Sequence, residues 1–245
     1  MALDFICTSN MGYDYFGSTE KLDGRNYIPT DFVKYQNALT TRTTKQIDFI
    51  PKIFACTERL KREEKIISHI IPAGNDNANR PGNFLAHHLV VEKEDIKCCR
   101  GGPAWLLKKR SFCQQWQNEK TKKQYKRSII QPNDYLKIDP PQTWLKFFQD
   151  EWKSNLQKII NTVGDPKKKC IILFDREKHK SEIILDLFYE ALSWIQADER
   201  WQVTFSTFAT EPLKNLGWQW IGVEKSDEAA KRIFLYNKPT IIDLP

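Results

Sequence analysis

The 245-residue chain lacks most of the short motifs that name a reaction. It has no G-x-x-x-x-G-K-[ST] phosphate loop, since Gly101-Gly102-Pro103 runs straight into Ala104-Trp105. It has no G-x-S-x-G nucleophile elbow. Its six cysteines, Cys7, Cys56, Cys98, Cys99, Cys113 and Cys170, contain no C-x-x-C pair. Adjacent Cys98-Cys99 with Cys113 makes a poor tetrahedral zinc set, so no metal and no cofactor are expected. No run approaches the ~18 apolar residues of a membrane-spanning helix. The start, MALDFICTSNMG, lacks the basic and apolar regions of a secretory signal. These absences set the expectation of a cytoplasmic protein with no membrane contact, whose cysteines are thiols. Glycine (10) and proline (12) occur in ordinary numbers, which excludes collagen-like and low-complexity architectures.

What is present is core-forming material. Hydrophobic residues make up 40% of the chain and aromatic residues 12%, with 8 Trp and 14 Phe. A chain of this size buries roughly 73% of the surface that it exposes unfolded, so it needs no staples. Leu3–Thr8, Lys52–Glu58, Lys65–Pro72 and Asn83–Glu92 read as strands, the middle two as an antiparallel hairpin. Asn10–Asn26 and Ala73–Gly82 read as loops, Pro29–Leu39 as a short helix, and Gly101–Leu107 as a turn entering a helix. Further on, Trp144–Asn161 has helical spacing. Cys170–Phe174 is a continuous apolar run, the mark of a strand covered on both faces. Lys180–Ile195 reads as a helix, and Trp201–Thr207, Trp218–Val223 and Thr240–Leu244 as strands. Ser226 is the expected cap of a helix reaching Ile233. Strand, helix and strand within ~40 residues make a βαβ unit with parallel strands.

The fold class is therefore mixed α+β and α/β, with a mainly antiparallel β part followed by a βαβ-containing part in one compact unit. The proline-bearing stretch from 128 to 142 suits a boundary between parts 1–130 and 131–245, although a single domain over 1–245 fits equally.

The net charge of +7 is local. Between Arg100 and Arg127 stand nine bases, namely Arg100, Lys108, Lys109, Arg110, Lys120, Lys122, Lys123, Lys126 and Arg127, against one acid, Glu119. The rest of the chain is close to neutral, so this is a patch and not a generally basic protein. Trp105, Phe112, Trp116 and Tyr125 interleave with the charges. Three readings fit: a solvated helical face with inward aromatics, a surface for an acidic protein partner, and a strip for single-stranded nucleic acid.

His87-His88 is the most visible polar pair. On a strand the two face opposite sides, so one of them alone can point into a site. With Arg80 and Asn83 they form the only candidate catalytic group, weighed against buried histidines hydrogen-bonded in a sheet. Asp175, at the carboxyl end of a strand, is a candidate metal ligand weighed against an ordinary turn residue. The Asp175–His179 turn has no glycine to approach a dinucleotide.

Three segments occur in a familiar order: Arg80-Pro-Gly-Asn-Phe-Leu-Ala-His-His-Leu-Val-Val91, Gly101-Gly-Pro-Ala-Trp-Leu-Leu107, and Arg200-Trp-Gln-Val-Thr-Phe-Ser-Thr-Phe208 followed by Trp220. In this the chain resembles the N-terminal domain of GTPase-associated protein 1 and related bacterial proteins common in planctomycetes, from predicted NTP-dependent conflict systems. The resemblance spans nearly the full length and implies a stand-alone version of that first domain. It implies a non-enzymatic adaptor of a prokaryotic defence system, with protein partners from the same locus. An accessory protein of a type III CRISPR locus with a caspase-like protease is one form of it. In the same reading Arg80 and Asn83 pin a loop, His87 satisfies a buried contact, and Trp105, Trp201 and Trp220 fill the core. The alternatives are a nucleic-acid-binding accessory acting through residues 100–127 and a cryptic enzyme around Arg80 and His87.

Overall fold

The computed structural model describes residues 3–8, 14–18, 52–58, 64–73, 84–110, 112, 123–124, 139–209, 217–235 and 238–245; for 3–8, 14–18, 123–124, 229 and 233–235 it describes the backbone alone. The expected helix Pro29–Leu39 and most of the loop Ala73–Gly82 lie outside these residues.

Among the described residues one ten-stranded sheet is formed. Its strands are β1 (Leu3–Thr8), β2 (Asp14–Ser18), β3 (Ile53–Glu58), β4 (Lys65–Pro72), β5 (Phe84–Val91), β6 (Lys123–Gln124), β7 (Cys170–Phe174), β8 (Phe205–Ser206), β9 (Trp220–Glu224) and β10 (Thr240–Asp243). The spatial order is β10-β7-β9-β8-β3-β4-β5-β1-β2-β6. From β10 to β8 the strands are parallel. From β8 through β3, β4, β5 and β1 to β2 they are antiparallel, and β6 lies parallel to β2 at the far edge. The mixed architecture read from the sequence is thus the architecture found. β7 and β8 run the same way as expected for a βαβ unit, with β9 inserted between them.

Continuous apolar runs explain the centre. β4 (KIISHIIP) and β5 (FLAHHLVV) are buried along nearly their whole length, so both faces of the sheet are covered at these two strands. Antiparallel sheets commonly leave one face in water. Here the helices α1 (Lys93–Cys98), α2 (Gly102–Lys109), α3 (Thr143–Phe148), α4 (Trp152–Ile160), α5 (Ser181–Ser193) and α6 (Glu228–Leu235) supply cover. In α5 the residues Ile184, Leu187, Phe188 and Ala191 recur at helical spacing and are all buried.

At the seam between the halves, β3 pairs β8 through Ala55 with Ser206 and Cys56 with Phe205. Thr207 extends the pairing, accepting the Phe54 N–H on its hydroxyl (2.9 Å) and donating its own N–H to the Phe54 carbonyl (2.9 Å). Gly222 on β9 faces that point. A Cβ there would stand 2.2 Å from the Thr207 carbonyl oxygen, so this crossing admits glycine alone.

Four readings of the sequence change. Asn10–Asn26 is loop-like by composition, yet Asp14–Ser18 forms β2, because pairing with β1 and β6 overrides the local glycine. Trp144–Asn161 is not one helix: Gln149 has φ 44, and a 3-10 turn at Gln149–Glu151 separates α3 from α4. Trp201–Thr207 is a strand only at Phe205–Ser206, since Arg200–Gln202 coils into a 3-10 turn that sends the Trp201 indole N–H to the Cys99 carbonyl (2.6 Å). The cap of α6 is Asp227, whose Oδ1 accepts the Ala230 N–H (2.9 Å); Ser226 donates its hydroxyl to Glu224 instead.

Candidate functional site

The site assembles from the pleat of the antiparallel half. His69 on β4 stands directly opposite His87 on β5, and Phe54 on β3 completes the row. The His69 ring stacks on Phe54 at 4.9 Å between centroids. Phe112, the residue that leads out of α2 into the basic segment, closes over both histidines, 5.2 Å from His69 and 5.1 Å from His87. Beside them Lys52 and Glu182 form a half-exposed ion pair at 2.9 Å that joins β3 to α5.

His88 points to the opposite face, as alternation requires. It is fully buried, and its Nδ1 shares a 2.8 Å hydrogen bond with the Ser68 hydroxyl on the neighbouring strand. Both His69 and His88 are pushed down to about 3, chiefly by burial, with neighbouring His87 (and Lys52 for His69) adding to it. They are therefore neutral near pH 7. A general base works best with a pKa near the operating pH, so neither is suited to that task. Arg80 and Asn83 lie outside the described residues. The sequence reading missed His69. The signal was a lone histidine within the apolar strand KIISHIIP, but its meeting with His87 depends on strand register.

The other candidates are engaged in the fold. Cys99 lies against the backbone N–H groups of Gly101 and Gly102, yet burial drives its thiol up to about 12, far from the thiolate that a nucleophile or ligand needs. Cys98 is exposed, and Cys113 lies outside the described residues. Asp175 accepts the Glu177 N–H (2.9 Å) and faces Lys178 at 3.8 Å, as a turn residue does. Among the described residues no three His, Cys, Asp or Glu side chains are grouped so as to hold a metal.

The basic segment divides. Lys108 is exposed but engaged, paired with Asp186 and lying over the Tyr189 ring at 5.8 Å. Lys109 is exposed and Arg110 half-buried. Lys123 sits in the edge strand β6. Lys120, Lys122, Lys126 and Arg127, like Trp116 and Tyr125, lie outside the described residues. Of the interleaved aromatics, Trp105 and Phe112 are buried. Trp105, Trp201 and Trp220 are core residues, and the Trp220 indole N–H reaches the Thr162 hydroxyl at 2.9 Å.

On the other half, two tryptophans behave differently. Trp194, at the end of α5, is 59% exposed, and its ring meets that of half-buried Trp152 at 6.1 Å. The sequence reading absorbed both into helices. The available signal was Trp194's position off the buried stripe of α5.

No helix among the described residues is long and apolar enough to cross a membrane. No match is found among curated proteins. Two family models do match: GTPase-associated protein 1, N-terminal domain type 2, over residues 6–127, and GTPase-associated protein 1, middle domain, over residues 141–244. The second match corrects the expectation of a first domain alone, because the parallel half corresponds to a different domain of the same family. With both models together accounting for most of its length, the chain belongs to the GTPase-associated protein 1 family.

Proposed function

We propose that the chain is a non-enzymatic adaptor in a prokaryotic conflict system, acting in the cytoplasm beside a GTPase through protein contacts. An accessory role at a type III CRISPR–protease locus is its narrower form. One observation carries the reading: the residues that the sequence marks for chemistry, His87, His88, Cys99 and Asp175, are spent on packing and turns. What remains for function is surface. Lys109 is exposed there, and the sequence around it, with Arg110, Lys120, Lys122, Lys123, Lys126 and Arg127, supplies positive charge for an acidic partner. The split at residues 128–140 between the two family matches supports division into parts near 1–130 and 131–245.

The test is a tagged pull-down from cells carrying the native gene neighbourhood, with nuclease treatment and mass spectrometry. A stoichiometric protein that survives nuclease and is lost on Lys122→Glu with Lys123→Glu is the expected result. Recovery of nucleic acid alone would move the function to oligonucleotide binding through residues 100–127, a reading weakened by the burial of Trp105 and Phe112. A cryptic enzyme around Arg80 and His87 would instead show as loss of the cellular phenotype in His87→Ala at unchanged melting temperature.

A further inference from the structure

The Trp152–Trp194 pair meets the start of the basic segment through Arg200, which also holds the Arg100 carbonyl, but nothing in the adaptor reading uses the pair. Exposed tryptophan is ordinarily scattered and unremarkable. This one is held. Arg200, buried to 8% exposure, has no carboxylate partner among the described residues; its guanidinium donates to three carbonyls. Two of them flank Trp194: Nε reaches the Ile195 oxygen and Nη2 the Ser193 oxygen, each at 3.2 Å. The third, at 2.7 Å, is that of Arg100 in the other half of the chain. Trp194 also donates its own N–H to the Ala191 carbonyl (3.2 Å). Its backbone is thus fixed on both sides while its side chain stands in water. A large aromatic side chain on a pre-set backbone gives up little ordering entropy on binding, which is what interface anchors require.

Charge says what it takes. Asp150 and Glu151 immediately precede Trp152, and Asp198 and Glu199 occupy the turn after Trp194, closed by the Glu199 and Arg200 N–H groups on the Gln196 carbonyl. Three of the four are exposed and Glu199 is half-buried, and none has an ion pair among the described residues. The ring face already accepts a cation, because the Lys153 ammonium stands 5.5 Å from the Trp152 centroid. We propose that Trp152 and Trp194, with Asp150, Glu151, Asp198 and Glu199 around them, form a docking site for a basic segment of a partner protein. Its arginine or lysine side chains lie on the indole faces and pair with the carboxylates. This site does not depend on the bases between Lys108 and Arg127.

The probe is a fluorescein-labelled 12-residue peptide of alternating arginine and glycine, read by fluorescence anisotropy at low salt against peptides with glutamine or glutamate in place of arginine. The arginine peptide is expected to bind best. Trp194→Ala should weaken it about tenfold or more, as loss of an interface anchor does. Asp198→Asn with Glu199→Gln should weaken it less and flatten its salt dependence. Thermal melting of each variant reports that the fold is intact, and Asp198→Lys serves as a second probe of the rim. Equal affinity in wild type and Trp194→Ala, no preference for arginine over glutamine, or no binding at all would overturn the proposal. Lys122→Glu with Lys123→Glu should leave the peptide affinity at the tryptophan pair undiminished, so failure of the adaptor reading and failure of this one are separable.

Discussion

The two halves of the sheet hold their most conspicuous residues against type. The antiparallel half buries polar ones: His69, His87 and His88 all lie inside, two of them facing each other beneath Phe112. The parallel half, through the helices that cover it, exposes apolar ones, Trp194 above all. A histidine in the sequence reads as chemistry and a tryptophan as core. The structure inverts both, because burial is decided by which face of which element a residue occupies. The practical lesson is to look for function in this chain where an apolar side chain is held in water rather than where a polar one is held in oil.

Four measurements can break or sharpen that contrast. The largest effect is expected at the clamp beneath the exposed tryptophan. Arg200→Met strips three carbonyls of their donor at a joint shared by both halves, and should cost about 3 kcal/mol in urea denaturation. A loss under half a kilocalorie would mean that the clamp holds nothing. His88→Ala is next, at about 2 kcal/mol, combining a cavity in β5 with an unpaired Ser68 hydroxyl. If His88 faced a functional cleft instead of the core, stability would barely move.

The third measurement is a pH profile. Folded-state values near 3 for His69 and His88 lie below the ordinary value near 6.5, so the unfolded chain binds these protons first. Their contribution to stability is complete above about pH 6.5 and is lost as pH falls toward 3. The midpoint of urea unfolding should decline across that window, and less steeply in His69→Asn. Glu190 has the opposite sign. Burial raises its carboxyl above the usual range even though Oε2 accepts the N–H groups of Thr143 (2.5 Å) and Trp144 (3.1 Å). Wild type should therefore lose ground to Glu190→Gln as pH climbs through the carboxylate range, and a constant difference between the two would refute the assignment. The smallest effect on folding belongs to Trp194→Ala, about 0.5 kcal/mol or less, with its consequence in binding alone.

Much of the fold was legible from residue order. β1 and β4 begin and end where the apolar runs do, and β7 was readable from CIILF. What could not be read had tertiary causes. Nothing local marks Gln149 for φ 44; on either side of the break Trp144 of α3 and Leu156 and Ile159 of α4 all lie in the core. β8 shrinks because Trp201 is drawn off to the Cys99 carbonyl. At the candidate site, alternation alone separated His87 from His88. The partner that mattered, His69, is 18 residues away in sequence and becomes visible only once the register of β4 against β5 is known. The resemblance named the family and missed that a second of its domains fills the parallel half.

The seam from Phe54 to Thr207 has a mechanical consequence. Because the β3–β8 pairing joins both family-matched regions in one continuous ladder, the edge at β6 and the opposite edge at β10 belong to the same sheet. Ten strands at the usual spacing place those edges about 43 Å apart measured along the sheet. A partner gripped near one edge and another gripped near the other would be held at a set separation and a set angle. The chain would then serve as a rigid spacer whose length is counted in strands.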